Sequence, residues 1–343
     1  MSKHLRLLFI APQGLGDSLQ LTPLLPSLRR NHPDATIDVV VLRPTAEQLF
    51  AGLPDLVDGT YHLPYWSKGI GAFAVSLAKF AASHRYDMSF LAYPAARREY
   101  HVLQALIPAK ARFAHAYGKT PATSLGWPLH KRRILPLAAV SNVLRNAQLV
   151  NAAGLDVDLA ETYVIPEQWK GRRLKIDPAG AIVIHIGSVN HDSFAGKRWP
   201  VEYFIELSNR LVQQGRRVIY LSGPDERDET QAAAEATPGA TIFEGDLAET
   251  TSLLSRATLL ISNDSGVGHL ATAVGTRTIT LFGPTPPEFA PFGRTSHVLR
   301  PSACPPCFDL LRSDMSCKLA IDYACLRRDL PVDLAESTVL NLL

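Results

Sequence analysis

The sequence of 343 residues lacks the features that mark membrane, secreted and disordered proteins. No stretch approaches the roughly 18 to 20 uninterrupted apolar residues of a membrane-spanning helix. The apolar run that ends before Pro12 is shorter than the roughly 7 to 15 residues of a signal-peptide core. The 22 glycines and 25 prolines are spread along the chain, which excludes collagen-like and low-complexity classes. We therefore expect a soluble, cytoplasmic globular protein.

A strong charge of either sign is also missing. Lys and Arg number 35 against 32 Asp and Glu, a net charge of +3. This balance does not predict binding along a nucleic-acid backbone, so we expect no nucleic-acid partner. At about 150 residues per domain, the length indicates two domains.

Cysteine is scarce, and its four copies are clustered. They form the pattern C-x2-C-x9-C-x7-C at Cys304, Cys307, Cys317 and Cys325. Three interpretations are open, namely a structural zinc or iron site, reduced packed thiols, or a disulfide. The pattern by itself does not choose among them.

Short apolar runs followed by turns and helical segments predict βα units on parallel sheets. The runs lie at Leu5–Ala11, Thr36–Leu42, Met88–Tyr93, Ala181–Gly187, Arg217–Gly223, Leu259–Asn263 and Thr276–Gly283. We expect an α/β protein of two doubly wound, Rossmann-like domains, residues 1–168 and 169–343, joined within 165–180. The Cys-containing segment 304–325 lies near the end of the second domain, and the last helix is a candidate to pack back on the first.

Ligands of such folds bind beyond the carboxyl ends of the strands, so a central cleft between the two domains is expected. The first such loop carries Gly14, Gly16 and Asp17, where glycines allow a ligand to approach the backbone. Leu19 occupies the third glycine position of a dinucleotide fingerprint, which is therefore absent. Asp17 either caps a helix or acts as a general base; in the second case Thr22 caps the helix instead.

In the second half, the run ending at Asn263 leads through Asp264, Ser265 and Gly266 into a helix. Backbone N–H groups at that helix start suit a diphosphate. Asp264 would cap the helix or accept hydrogen bonds from a sugar. His269 would be a packed histidine or an acid–base group.

Two further strand ends carry charged residues. Lys197 lies in a Gly-Lys-Arg-Trp-Pro segment and is either a counter-charge for phosphate or a solvated lysine. Glu226 follows the strand that ends near Gly223, where a carboxylate could accept ribose hydroxyls.

Four motifs in this order resemble glycosyltransferase family 9, the ADP-heptose heptosyltransferases of lipopolysaccharide core synthesis. They are Gly-x-Gly-Asp after the first strand, Gly-Lys-Arg-Trp-Pro, Asn-Asp-Ser-Gly-x-x-His-Leu-Ala and Leu-Phe-Gly-Pro-Thr-x-Pro. The resemblance extends from Leu7 to about Leu326. It implies a GT-B fold with an acceptor-binding first domain, a nucleotide-sugar-binding second domain, and inverting transfer without a catalytic metal.

Carried over residue by residue, the resemblance assigns the base and the donor site. It implies that Asp17 is the base and that Lys197 binds phosphate. The implied donor-binding residues are Ser188, Glu226, Asp264, Ser265, Gly266 and His269. Similar cysteine clusters occur in many members, and related protein-directed heptosyltransferases use a cysteine-bound iron, which supports the metal interpretation of the four cysteines.

The sequence thus predicts an inverting glycosyltransferase that moves a sugar, foremost heptose from ADP-heptose, to an acceptor hydroxyl. The alternatives are a GT-B-like sugar-nucleotide epimerase and a non-catalytic nucleotide-sugar-binding protein. The acceptor would be a saccharide, a lipid-linked molecule or a protein, and peripheral association with the inner membrane is compatible with this. The basic stretches Arg97-Arg98 and Lys131-Arg132-Arg133 are either contacts for an anionic acceptor or solvated faces.

Overall fold

The computed structural model describes residues 4–65, 69–117, 132–188, 196–302, 304–310, 314–319, 321 and 323–343. Within these ranges the chain divides into two compact units, Met1–Pro166 and Glu167–Leu343. Each unit is built around a parallel sheet of six strands.

The sheet of the first unit has the strand order β3-β2-β1-β4-β5-β6. Its strands are β1 (Arg6–Ala11), β2 (Thr36–Val41), β3 (Gly59–His62), β4 (Tyr86–Leu91), β5 (Ala109–His115) and β6 (Arg132–Ile134). Its helices are α1 (Leu15–Leu19), α2 (Leu25–Asn31), α3 (Pro44–Ala51), α4 (Gly69–Ser83), α5 (Arg98–Leu106) and α6 (Asn142–Asn151), with a 3₁₀ turn at Thr22–Leu24.

The second unit repeats the same topology, with the strand order β12-β11-β10-β7-β8-β9. Its strands are β7 (Ala181–His185), β8 (Arg217–Ser222), β9 (Thr241–Glu244), β10 (Leu259–Asn263), β11 (Arg277–Leu281) and β12 (Ser296–Leu299). Its helices are α7 (Glu167–Lys170), α8 (Val201–Gln213), α9 (Arg227–Glu235), α10 (Leu247–Arg256), α11 (Gly266–Ala273), α12 (Ala324–Arg327) and α13 (Val332–Leu342).

Apolar residues on both faces make the central strands buried throughout. Every residue of β7 and β10 is buried, as parallel sheets covered by helices require. In each sheet the strand order reverses beside the first strand of the unit, between β1 and β4 and between β7 and β10. Loops diverge at such a reversal and leave a crevice at the carboxyl edge. The topology therefore places a potential ligand site at the ends of β7 and β10.

The last helix, α13, packs within the second unit. Val332, Ala335 and Val339 belong to the same hydrophobic core as the β7 and β10 side chains. Arg210 on α8 adds ion pairs with Asp333 and Glu336, each at 2.7 Å. The helix thus closes the second unit's own core, and its packing on the first domain stays a prediction.

No helix within the described ranges combines the length and the hydropathy needed to cross a bilayer.

Candidate active site

Asn263, the last residue of β10, holds the loop that follows β7. Its side-chain oxygen accepts a hydrogen bond from the Trp199 backbone N–H at 2.8 Å, and its amide nitrogen donates to the Ile186 carbonyl at 2.6 Å. Trp199 is almost fully buried, and its ring N–H donates to the Leu330 carbonyl. These bonds fix the segment that carries Lys197 against the end of β10.

Lys197 and Asp264 form a buried ion pair. The Lys197 Nζ lies 3.5 Å from Asp264 Oδ2, and the two side chains are 8% and 11% exposed. The Thr285 hydroxyl donates to the same carboxylate oxygen at 2.7 Å. The 3.5 Å separation exceeds the roughly 2.7–2.9 Å of a charge-assisted hydrogen bond, so Nζ keeps capacity to donate to a ligand. Lys197 is therefore not a solvated lysine.

His269 lies on α11 beside this pair. Burial lowers the pKa of His269 to about 4, with Asp264 opposing that shift and Lys197 adding to it. The imidazole is consequently neutral near pH 7. A neutral, buried ring fits a packed histidine or a hydrogen-bonding group better than an acid that donates from the imidazolium form.

The N-terminus of α11 presents backbone amides toward the end of β10. Ser265 is the N-cap in an extended conformation, and Gly266 is the first helical residue. The first N–H groups of a helix have no intrahelical acceptor, and the helix dipole favours an anion there. Ser265, not Asp264, occupies the cap position, so the interpretation of Asp264 as the cap is wrong. Its carboxylate instead contacts Lys197 and Thr285.

Glu226 is buried between two glycines at the ends of β7 and β8. A Cβ on Gly187 would lie 2.4 Å from its carboxyl carbon, and one on Gly223 would lie 2.6 Å from Oε1. Oε1 accepts hydrogen bonds from the Gly223 N–H and from His185 Nε2, both at 3.0 Å. Burial acts to raise the pKa of Glu226, but the hydrogen bonds from His185 and the Gly223 N–H, together with the nearby Arg198, outweigh it, and the net pKa is lowered. The carboxylate is therefore held ionised.

Ser188 directly follows this region and is tied to Arg198. Arg198 donates from Nε to the Ser188 hydroxyl and from Nη2 to its carbonyl, both at 3.1 Å. Arg198 also approaches Glu229 at 3.5 Å. The pattern Gly-Lys-Arg-Trp-Pro contains this arginine, yet its role as a clamp on Ser188 does not follow from spacing alone.

In the first unit, the loop after β1 runs into the short helix α1. Gly14 is the N-cap, and Asp17 lies in the first helical turn and is half-buried. A Cβ on Gly14 would meet no atom within 4 Å, so the backbone borders open space. Both predicted helix starts were wrong, because Gly14 caps α1 and Leu24 caps α2, with Thr22 inside the 3₁₀ turn between them. The Thr22 hydroxyl instead donates to the Leu19 carbonyl at 2.8 Å.

The basic stretches give a mixed result. Arg97 and Arg98 are 39% and 73% exposed and lie 3.8 and 3.7 Å from Glu99, which is typical of a solvated face. In the second stretch, Lys131 lies outside the described residues. Burial lowers the pKa of Arg133 to about 10, and Tyr117 opposes that shift.

The predicted structural metal at the cysteines is not supported. All four cysteines are described and are free thiols. No group of three or more His, Cys, Asp or Glu side chains within the described ranges is arranged to hold a metal ion. Cys325 belongs to the hydrophobic core of the second unit, Cys304 packs against it, and burial raises the pKa of Cys325 to about 11. Of the three interpretations, the described thiols therefore fit reduced, packed cysteines.

The described site therefore brings together Lys197 and every predicted donor-binding residue of the second half. Ser188, Lys197, Glu226, Asp264, Ser265, Gly266 and His269 all lie at or beside the carboxyl edge of the second sheet. Gly14, Gly16 and Asp17 lie at the corresponding edge of the first. The residues not predicted are His185, Arg198 and Thr285, each of which contacts a predicted side chain.

Residues 100–314 match the family model described as glycosyltransferase family 9 (heptosyltransferase). The chain belongs to this family. The match includes three of the four motifs, all but Gly-x-Gly-Asp, and the protein is a glycosyltransferase.

Relatives and solved structures agree with this assignment. The chain is 28% identical over 282 residues to lipopolysaccharide heptosyltransferase 3 of Escherichia coli, covering 79% of this chain and 81% of that protein. It is 25% identical to lipooligosaccharide heptosyltransferase 2 of Haemophilus influenzae, covering 84% and 86%. The structure of E. coli heptosyltransferase WaaC with ADP-2-deoxy-2-fluoro heptose matches with a TM-score of 0.73 at 19% identity, covering 98% and 99%. A family 9 structure from Veillonella parvula matches with a TM-score of 0.79 at 20% identity, covering 100% of this chain and 98% of that one. The fold is GT-B, composed of two Rossmann-like units.

Proposed function

We propose that this family 9 glycosyltransferase transfers heptose from ADP-heptose to a hydroxyl of a lipopolysaccharide core acceptor, with inversion at the anomeric carbon. The observation that carries the proposal is the second unit's site, where an amide-lined helix start, a buried Lys197–Asp264 pair and a buried carboxylate meet. The names of the relatives and the ADP-sugar bound to the E. coli enzyme support the choice of donor.

Each part of the donor has a chemically suitable group in this site. The ribose hydroxyls would donate to Oε2 of Glu226, because within the described residues both hydrogen bonds to that carboxylate go to Oε1. The diphosphate would bind the Ser265 and Gly266 amides, with Lys197 as the nearby cation. Asp264, held by Thr285, would accept hydroxyls of the sugar, while Ser188 and the neutral His269 would line the pocket.

In the proposed reaction Asp17 acts as the general base. Its carboxylate removes the proton of the acceptor hydroxyl, whose oxygen forms the new bond to the anomeric carbon while the bond to the diphosphate breaks on the opposite face. The transition state resembles an oxocarbenium ion, as in inverting glycoside hydrolysis. The departing diphosphate carries the electron pair away, and Lys197 and the α11 amides stabilise its charge. Gly14, where a Cβ would meet no atom within 4 Å, leaves room for an acceptor beside the Asp17 turn.

A transfer assay with a donor panel tests the function. The protein is incubated with ADP-heptose, or with a UDP-, GDP- or dTDP-sugar, with and without heptose-deficient lipopolysaccharide. We expect acceptor-dependent ADP release from ADP-heptose and a product of inverted configuration. A change of the donor sugar without acceptor would instead indicate an epimerase, and binding without turnover would indicate a non-catalytic binding protein.

The variant Asp17→Asn tests the base. It keeps the shape of the side chain but removes the proton acceptor, so kcat should fall by about 10² to 10⁴ while donor affinity is unchanged. Asp55→Asn is the matched control, because it removes the charge of an exposed carboxylate elsewhere in the first unit and should leave kcat unchanged. Turnover of Asp17→Asn within a few fold of wild type would remove Asp17 from the mechanism.

The outer face of α4 supports association with a membrane that carries the acceptor. Ile70, in the first turn, and Val75 are 81% and 56% exposed, whereas Leu77 and Phe80 are buried. At 100° per residue, the exposed arc also contains Ala74 and Ala78. An apolar arc of this kind, open to solvent along a 15-residue helix, is unusual for a soluble surface.

The charges around α4 favour contact between its exposed face and an anionic lipid surface. No acidic residue occurs between Leu63 and Arg85. Lys79 and Arg85 are exposed on or just beyond the helix. Each basic residue near an anionic bilayer contributes about 1 kcal/mol, and the apolar arc adds to this by partial insertion. We therefore assign this face to peripheral contact with anionic lipid.

A further inference from the structure

His185 is a buried side chain that contacts two residues of the donor site at once. It is the last residue of β7 and is 6% exposed. Its Nε2 lies 3.0 Å from Glu226 Oε1, and its Nδ1 lies 3.3 Å from the Ser265 hydroxyl. Glu226 follows β8 and Ser265 follows β10, so the imidazole joins the loops on either side of β7.

Hydrogen-bond chemistry fixes the direction of the contact with Glu226. The lowered pKa of Glu226 keeps its carboxylate ionised, and an ionised carboxylate only accepts hydrogen bonds, so Nε2 is the donor. Nδ1 then remains to bond the Ser265 hydroxyl, which lies within hydrogen-bond distance of it.

The bond to His185 also affects the start of α11. Because the Ser265 hydroxyl is engaged by the imidazole ring, phosphate recognition there depends on the backbone amides. The hydroxyl instead ties the N-cap to β7 and holds those amides in place. On the other side, the Nε2–H holds Oε1 of Glu226 and thereby directs Oε2 away from the ring.

We propose that His185 is a positioning residue that orders the two ends of the donor site together. Through Nε2 it aligns Glu226 for the ribose hydroxyls, and through Nδ1 and Ser265 it fixes the amides that bind the diphosphate. This inference rests on the proposed function, since it assigns ribose and diphosphate to those two groups. It makes His185 necessary for nucleoside diphosphate recognition without direct contact with the reacting atoms.

Two substitutions separate the contact of His185 with Glu226 from its contact with Ser265. The Gln side chain places its amide near the Nε2 position, so His185→Gln keeps a donor for Glu226 and loses the contact with Ser265. The Asn side chain places its amide near the Nδ1 position, so His185→Asn keeps a partner for Ser265 and loses the contact with Glu226. Thermal melting confirms that each variant is folded.

Affinities for three ligands, measured by calorimetry, report separately on the diphosphate-binding and the ribose-binding parts of the donor site. The ratio of ADP to AMP affinity reports the diphosphate end, and the ratio of ADP to 2′,3′-dideoxy-ADP affinity reports the ribose end. We expect His185→Gln to reduce the first ratio by about two- to tenfold and to leave the second unchanged, and His185→Asn to do the opposite. Ser265→Ala should reduce the first ratio as His185→Gln does, and the double variant should lose no more than either single one.

A general structural role would lower both ratios in both variants, or neither, and would overturn the proposal. Additive losses in the double variant would also contradict it, because the two residues would then act independently. If the wild-type protein binds neither ADP nor dideoxy-ADP, the proposed function itself fails, and the inference fails with it. If the wild-type protein binds ADP but the two variants do not change the two affinity ratios in opposite ways, only the role of His185 is contradicted.

Discussion

Removal of the Lys197 charge should destabilise the protein in a way that depends on pH. Lys197→Met keeps most of the apolar stem but leaves the buried Asp264 carboxylate with only the Thr285 hydroxyl as a partner. Breaking one side of a buried ion pair costs about 3 to 5 kcal/mol. Because the Thr285 bond remains, we expect a loss near the lower limit, about 3 kcal/mol in the free energy of unfolding at about pH 7.5.

The neighbouring His269 supplies the pH dependence. Its pKa falls from 6.5 to about 4 on folding, so its protonation opposes the native state. The stability that the neutral ring provides is fully present above pH 6.5 and is lost as pH falls toward 4, with about 2 kcal/mol gone at pH 5 in the wild type. Without Lys197, the unpaired Asp264 raises the pKa of His269, so less stability is lost. The difference in the free energy of unfolding between wild type and Lys197→Met should therefore become smaller as the pH falls.

Urea unfolding of both proteins at about pH 7.5 and pH 5 measures this difference. Lys170→Met is the matched control, because Lys170 pairs with Glu167 in an exposed helix and its loss should change stability by less than about 1 kcal/mol at either pH. The double variant Lys197→Met, Asp264→Asn removes both charges and should recover most of the stability. A difference that is constant or grows as pH falls would refute the proposed coupling of Lys197, Asp264 and His269.

Two further predictions concern the ribose pocket and the exposed face of α4. Gly187→Ala would place a Cβ 2.4 Å from the Glu226 carboxyl carbon, so ADP affinity should fall at least tenfold and overpacking should lower the free energy of unfolding by about 1 to 3 kcal/mol. The control is Gly171→Ala, whose Cβ would have no atom within 4 Å and which should change neither the ADP titration nor the urea titration. Val75→Glu should abolish co-sedimentation with vesicles rich in phosphatidylglycerol. Leu135→Glu is the control and should not, because Leu135 is 64% exposed but lies elsewhere in the first unit. Equal vesicle binding by the two variants would contradict the assignment of α4.

The strands that the sequence predicted are the interior strands of both sheets. Those runs are apolar on both faces because helices cover both, as in β10 with five buried residues. Four of the five missed strands are sheet edges, short and mixed in polarity, such as β3 with four half-buried residues. Edge strands carry little hydrophobic signal, so their pairing depends on the neighbouring strand and not on their own pattern.

The residues of the candidate site also divide into those with a clear sequence signal and those without one. Asp264, Ser265 and Lys197 follow turn and charge signals that are visible in the sequence. His185 was missed because it lies inside an apolar strand, where a single polar residue carries no spacing signal. The Thr285 bond to Asp264 joins residues 21 positions apart, and only the register of β10 and β11 brings them together. The cysteine pattern misled for the opposite reason, since its spacing is compatible with a metal, but Cys325 lies in the core and Cys304 packs against it.

The location of the diphosphate tests the account most directly. In a crystal structure with ADP bound, the account predicts diphosphate oxygens within hydrogen-bond distance of the Ser265 and Gly266 amides, with a ribose hydroxyl on Glu226. A diphosphate bound away from the start of α11, or a ribose that leaves Glu226 uncontacted, would contradict it.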